Sequence, residues 1–164
     1  MDKQNNNGVM QHMIDTLIHK QYMLQSTIKM IEYLYQEGRE ADALELAKRA
    51  SVHDHSKLCM DEIKQFVQMP IEKKGKKPNG RLTKEQRKLI EMHWSRNRHH
   101  PEFHKDYHDM SEIDVLEMVC DWYARACQFE SDFGEFVNTI PQERFGFEGE
   151  FLEKVLKYCE VLNN

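Results

Sequence analysis

Seven apolar residues between positions 10 and 35 fall at spacings of three, four or seven: Met10, Met13, Leu17, Leu24, Ile28, Ile31 and Tyr35. That is the period of one face of an α-helix, not the two-residue alternation of a strand. Residues 9–36 are therefore expected as one long helix, with Gly38 as its C-cap. The same period returns down the chain. Ala43, Leu44, Ala47 and Ala50 mark a second helix from about Glu40 towards Lys57, and Asp54 falls on their side of it. A short helix containing Ile63, Phe66 and Val67 follows, with Asp61 as its candidate cap. Thr83 and Gln86 form a capping box for a helix that carries Leu89, Ile90 and Met92 to His93-Trp94. Ser111 and Asp114 open another that reaches Phe129, and residues 151–162 form a closing amphipathic helix. Residues 133–147 read as an irregular aromatic segment containing Pro141. No segment alternates as a strand does and none repeats. The expected fold class is all-α, a bundle of about five to seven helices.

The chain has 164 residues, which suits one domain with a real core. The expected layout is a polar, Asn-rich, disordered N-terminus over residues 1–8 and a single helical domain over 9–164. Within that domain Pro70 to Arg81 holds two prolines, two glycines and five basic residues. It reads as a mobile surface loop, either a solvated connector or a basic lid over a phosphate-bearing substrate. A net charge of -5 argues against nucleic acid as the main partner. No apolar run is long enough to span a membrane, and residues 1–8 lack the core of a signal peptide, so a cytoplasmic protein is expected. None of the four cysteines sits in a Cys-x-x-Cys pair, and reduced thiols are expected.

The chemistry centres on His53-Asp54, which puts an imidazole and a carboxylate at one point of the backbone. Divalent metals favour such mixed nitrogen and oxygen donors. Two adjacent residues cannot complete a coordination shell, and the chain offers His19, His93, His99-His100 and Asp121 as partners. By spacing alone His19 lies beside the apolar stripe and reads as partly exposed. Asp114, Glu117 and Asp121 share one acidic helix face. His93 and Asn97 also share a face, and Pro101 disfavours helix at His100, which leaves open whether His99 or His100 is the ligand. His12, His104 and His108 are expected to be uninvolved.

The order His … His-Asp … His … His-His … Asp resembles the HD superfamily, all-helical metal-dependent phosphohydrolases. The details look closer to an uncharacterised HD-like family of bacteria and phages. Four segments over residues 10–125 carry the likeness: His19-Lys20-Gln21-Tyr22, His53 to Lys57, Asn97-Arg98-His99-His100, and Glu117-Met118-Val119-Cys120-Asp121-Trp122. The resemblance implies a metal site of His19, His53, Asp54 and Asp121. It implies that His93, with His99 or His100, holds a second metal or contacts phosphate. One or two divalent ions (Mn, Fe, Mg, Co, Ni or Zn) are expected per chain, with a small phosphate-bearing substrate such as a nucleotide. HD-GYP phosphodiesterases carry a lysine at the place of Lys57 and a His-His-Glu motif, spread here as His99-His100-Pro101-Glu102. Lys57, His93 and Glu102 are therefore the catalytic candidates. The Gly-Tyr-Pro segment is missing, so cyclic-dinucleotide hydrolysis is not expected. Two alternatives accompany the phosphohydrolase: a non-catalytic metal-binding regulatory or interaction protein, and a di-iron oxygenase similar to myo-inositol oxygenase. The oligomeric state stays open.

Overall fold

The computed structural model describes residues 3–67 and 83–164. Seven α-helices account for most of them: α1 (Lys3–Gln36), α2 (Glu40–Val52), α3 (Met60–Phe66), α4 (Lys84–Trp94), α5 (Glu112–Phe129), α6 (Phe133–Glu143) and α7 (Gly149–Asn163). Short 3-10 turns cover residues 55–58, 101–103 and 107–109, and no strand occurs among the described residues. The chain is thus an all-α bundle. The basic loop expected at 70–81 lies outside the described residues.

α1 starts at Lys3 rather than at residue 9, so it takes in most of the segment that composition marks as disordered. Extending a helix that is already packed costs little per residue, even through asparagines. At its other end Gly38 adopts φ +72°, and the Arg39 N–H reaches back 2.8 Å to the Leu34 carbonyl, closing the helix as expected.

The apolar stripe that marks α1 in the sequence points away from the bundle. Met10, Met13, Leu17, Leu24, Ile28 and Tyr35 are exposed, and Ile31 is half-buried against the core. The inward face is Thr16, His19, Met23, Ser26, Thr27, Met30 and Leu34. It is part polar because it serves two purposes. His19 joins a polar cluster, and small Ser26 lets α5 come close enough for its hydroxyl to donate to the Cys120 carbonyl at 3.0 Å.

α5 is the axis of the fold. Residues Asp114 to Trp122 are all buried, and α1, α2, α6 and α7 pack around them. Its capping box forms as expected, with Ser111 Oγ accepting from the Asp114 N–H at 3.2 Å. The capping box of α4 forms too, between Thr83 and Gln86. Met23, Met30 and Leu34 meet Val115, Leu116, Val119, Val155 and Leu162 in one core. Trp122 stacks on Phe145 and meets Phe136 edge-on, sealing one end.

Three further elements differ from expectation. α2 stops at Val52 instead of running to Lys57, and it buries Leu46 while Leu44 and Ala47 face solvent. Cys59, not Asp61, is the N-terminal flank of α3. Residues 133–143 are a helix after all, because Asp132 caps it by accepting from the Glu135 N–H at 2.9 Å. Pro141 falls in its last turn, where one missing donor leaves the earlier turns intact. All four cysteines are free, with Cys120 and Cys159 buried. No helix among the described residues is long and apolar enough to cross a membrane.

Candidate metal centre

The early end of α2 creates the site. Successive side chains on a helix diverge by about 100°, so a continuous helix could not aim both His53 and Asp54 at one point. Here His53 caps α2 and Asp54 takes the left-handed conformation at φ 53°, ψ 22°. Aspartate tolerates that conformation better than most residues. Both side chains then turn inward and are almost fully buried. Lys20 holds the turn from α1, its ammonium 2.6 Å from the His53 carbonyl.

Three other segments meet them. α1 supplies His19, α4 and the turn after it supply His93, His99 and His100, and α5 supplies Asp121. The two oxygens of Asp54 divide the cluster. Oδ2 lies 3.7 Å from His53 Nε2 and 3.9 Å from His19 Nε2. Oδ1 lies 3.2 Å from His93 Nε2 and 3.6 Å from His99 Nε2. Asp121 Oδ1 closes the first half, 2.9 Å from His19 Nε2 and 3.5 Å from His53 Nε2. Donor atoms of three overlapping sets each fall within 4.8 Å of one another: His19, His53 and Asp54; His53, His99 and Asp121; and Asp54, His93, His99 and His100. Both members of the His99-His100 pair therefore reach the cluster. His99 belongs to two sets and His100 to one.

A second layer aims the imidazoles. Glu117 Oε1 lies 2.9 Å from His53 Nδ1 and 3.3 Å from His99 Nδ1. Glu62 Oε2 lies 3.0 Å from His93 Nδ1, and Gln128 Oε1 lies 3.1 Å from His19 Nδ1. A carboxylate only accepts, so Nδ1 carries the proton in the neutral rings that face one and the Nε2 lone pair turns to the centre. Arg49 fixes Glu117 through Oε2 at 2.7 Å, and Arg96 fixes Glu62 at 3.0 Å.

The charges in this arrangement do not balance. Glu117 and Asp114 are met by Arg49 and Arg98, and Glu62 by Arg96. Among the described residues the one ammonium in contact with Asp54 or Asp121 is that of Lys57, on Asp54 Oδ2. Although burial opposes it, the Asp54 and Asp121 carboxylates and the Glu117 bond pull His53 up to about 10. Burial lowers His19 and His100. Asp54 and Asp121 are held well below the usual carboxylate range; burial works the other way, and the cations and histidines around them outweigh it.

Six buried atoms in the cluster, Nε2 of His19, His53, His93, His99 and His100 and Oδ1 of Asp54, have no hydrogen-bond partner outside it. A buried polar group left unpaired costs about 1–3 kcal/mol, and the two close contacts in the cluster, His19 to Asp121 and His93 to Asp54, leave the other imidazoles without one. A divalent ion offers every one of them a partner. The donor set, imidazole nitrogen with carboxylate oxygen, fits such an ion.

The profile of a family of unknown function, DUF5662, matches residues 8–157. The chain belongs to this family. The DUF5662 match takes in every residue of the cluster and of the layer behind it. No curated protein and no solved structure matches the chain.

Of the residues singled out in this DUF5662 chain, His19, His53, Asp54, His93, His99, His100 and Asp121 come together. Glu102 does not. It is exposed on the 3-10 turn at 101–103 and pairs with Arg144 at 2.8 Å, because Pro101 turns the chain outward after His100. Lys57 reaches the edge, where its ammonium contacts Asp54. His104 and His108 point elsewhere, the first to the Arg98 carbonyl and the second to Asp106. Sequence reasoning missed Glu62, Gln128 and Arg49. No local spacing ties them to the histidines that they orient. Glu117 had a signal, four residues before Asp121 on the acidic face, and that face is buried instead of solvated.

Proposed function

We propose that this protein is a metal-dependent phosphohydrolase acting on a small nucleotide or related phosphoester, with the HD-like resemblance as its family context. The observation that carries the reading is the convergence of five buried imidazole Nε2 atoms on the carboxylates of Asp54 and Asp121. His19, His53, Asp54 and Asp121 would hold one ion. His93, His99 and His100, with the other oxygen of Asp54, would hold a second. A set so rich in imidazole suits Zn, Fe, Co, Ni or Mn better than Mg. A divalent ion bound there supplies a water of lowered pKa and charge to neutralise phosphate oxygens.

The chain's own groups do the rest. Glu117, Glu62 and Gln128 keep the histidines aimed. The Lys57 ammonium contacts Asp54 Oδ2. A cation on Asp54 would repel the ammonium and free it for an anion, and a substrate phosphate is the natural one. Lys57 cannot itself ligate a metal while charged. Glu102, paired away on the surface, has no part in this scheme.

A specific observation favours a second reading, a non-catalytic metal-binding protein. Every candidate ligand except His100 is less than a tenth exposed, and closed sites are the mark of structural metals. Metal analysis of the purified protein, followed by a phosphoester screen with the metals found, separates the two. Lys57→Ala should keep the metal and lose turnover about ten- to a thousandfold, roughly 1.4 to 4 kcal/mol of transition-state stabilisation. Asp54→Ala should lose both. A fully loaded protein that turns over nothing on the panel overturns the phosphohydrolase in favour of the second reading. Two irons with oxygen uptake would point to the oxygenase.

A further inference from the structure

We infer that the outward face of α1 is the interface of a homodimer, occupied by the same face of a second copy of this chain. The inference is independent of the proposed chemistry. Met10, Ile14, Leu17, Gln21, Leu24, Ile28, Ile31 and Tyr35 alternate by four and three without a break. That is a heptad seam: Ile14, Gln21, Ile28 and Tyr35 occupy one core position, and Met10, Leu17, Leu24 and Ile31 the other. β-branched residues at the first position and leucine at the second pack well against a like helix, knob into hole.

The bundle does not use this seam. Of its apolar members only Ile31 is half-buried against the core, while the other six are 46% to 61% exposed. A soluble monomer seldom leaves so long and continuous an apolar strip in water. On side chains of about 200 Å² each, those six offer roughly 600 Å² per chain, and Met13 and Ile18 beside them raise this towards about 800 Å². A standard-size interface buries about 800 Å² on each partner. Full burial of the strip would therefore match the area of a standard-size interface.

Two features favour a like helix over a lipid surface. A helix lying on a membrane has a flank rich in lysine and arginine. The flanks here are mixed: Gln11, Gln25, Lys29 and Glu32 are exposed on one side, and Lys20 on the other is tied to the His53 carbonyl. Gln21 also sits near the middle of the strip, where a lipid would leave its amide unpaired. Two strips related by a twofold axis bring that amide close to its mate with the helices in either sense, and the two amides can bond each other. A single polar residue in an apolar seam fixes register in this way.

The test is the mass of the full chain by analytical ultracentrifugation at tens of micromolar, alone and as the double variant Leu17→Glu with Leu24→Glu. Both leucines are solvent-facing, so the bundle should fold unchanged by circular dichroism. The parent should run at twice the 19.7 kDa of the chain and the variant as a monomer. A monomeric parent, or a variant that stays dimeric, overturns the inference. A monomer that sediments with vesicles of mixed zwitterionic and anionic phospholipid also overturns it and assigns the strip to a membrane surface.

Discussion

Glu117→Gln tests the layer behind the ligands without altering shape. In the parent, Oε1 accepts from His53 and His99, while Oε2 accepts from the Arg49 guanidinium. An amide has one acceptor. If its oxygen stays with the histidines, its NH₂ meets Arg49 donor to donor, although Arg49 keeps Asp114 at 2.8 Å. If it turns to Arg49, its NH₂ faces two imidazole N–H groups. Those rings are then driven to the other tautomer, with the proton on Nε2, where it blocks the metal. Either outcome weakens the aim of two ligands at once. Loss of such an outer partner costs about 10- to 100-fold in metal affinity, or about 1.4 to 2.8 kcal/mol. Competition against a chelator of known affinity measures it, with circular dichroism as the check on folding. An unchanged affinity in a folded variant would mean that Glu117 serves the bundle and not the metal, and that the outer layer has been misread.

Two further predictions concern stability. Metal removal by chelation should lower the melting temperature: an ion at a hundred times its dissociation constant adds about 2.7 kcal/mol, roughly 5–10 °C for a domain of this size, and an identical transition with and without metal would count against the site. Tyr158 donates to Glu112 and accepts from Arg39 at 2.8 Å; burial, then the Glu112 carboxylate, push its hydroxyl up to about 12. A folded pKa raised above the unfolded value near 10 gives stability that is complete below pH 10 and lost as pH rises from 10 to 12, at most about 2–3 kcal/mol. Tyr158→Phe should flatten that alkaline decline, and an equally steep one in the variant would assign it to other groups.

The helices were legible because they are amphipathic and capped, and Thr83/Gln86 and Ser111/Asp114 cap as their spacing says. The direction in which α1 faces was not legible. Its most apolar side looks like a core side, and only tertiary structure reveals that Met23, Met30 and Leu34, diluted by Thr16, Ser26 and Thr27, are what the bundle buries. The residues that converge were legible through a resemblance carried by short segments. Their geometry was not. The turn at Asp54 depends on a left-handed residue that no glycine announces. Glu62 reaches His93 from 31 residues away, a contact with no local trace. The aromatic segment at 133–147 misled because Pro141 reads as a breaker wherever it stands, while its place in the last turn makes it harmless.

The depth of the cluster has a kinetic side. His53 and Asp54 are 2% exposed and His19 and His93 4%, so an ion at the cluster would be shut off from solvent by the segments that meet there. Entry and exit then wait on local opening of the segments that meet there, which is slow beside diffusion and is set by the packing of the bundle. An ion held in this way exchanges on the timescale of breathing. Which metal such a site took up would be decided by what is present when the four segments close, more than by the equilibrium preference of the donors afterwards.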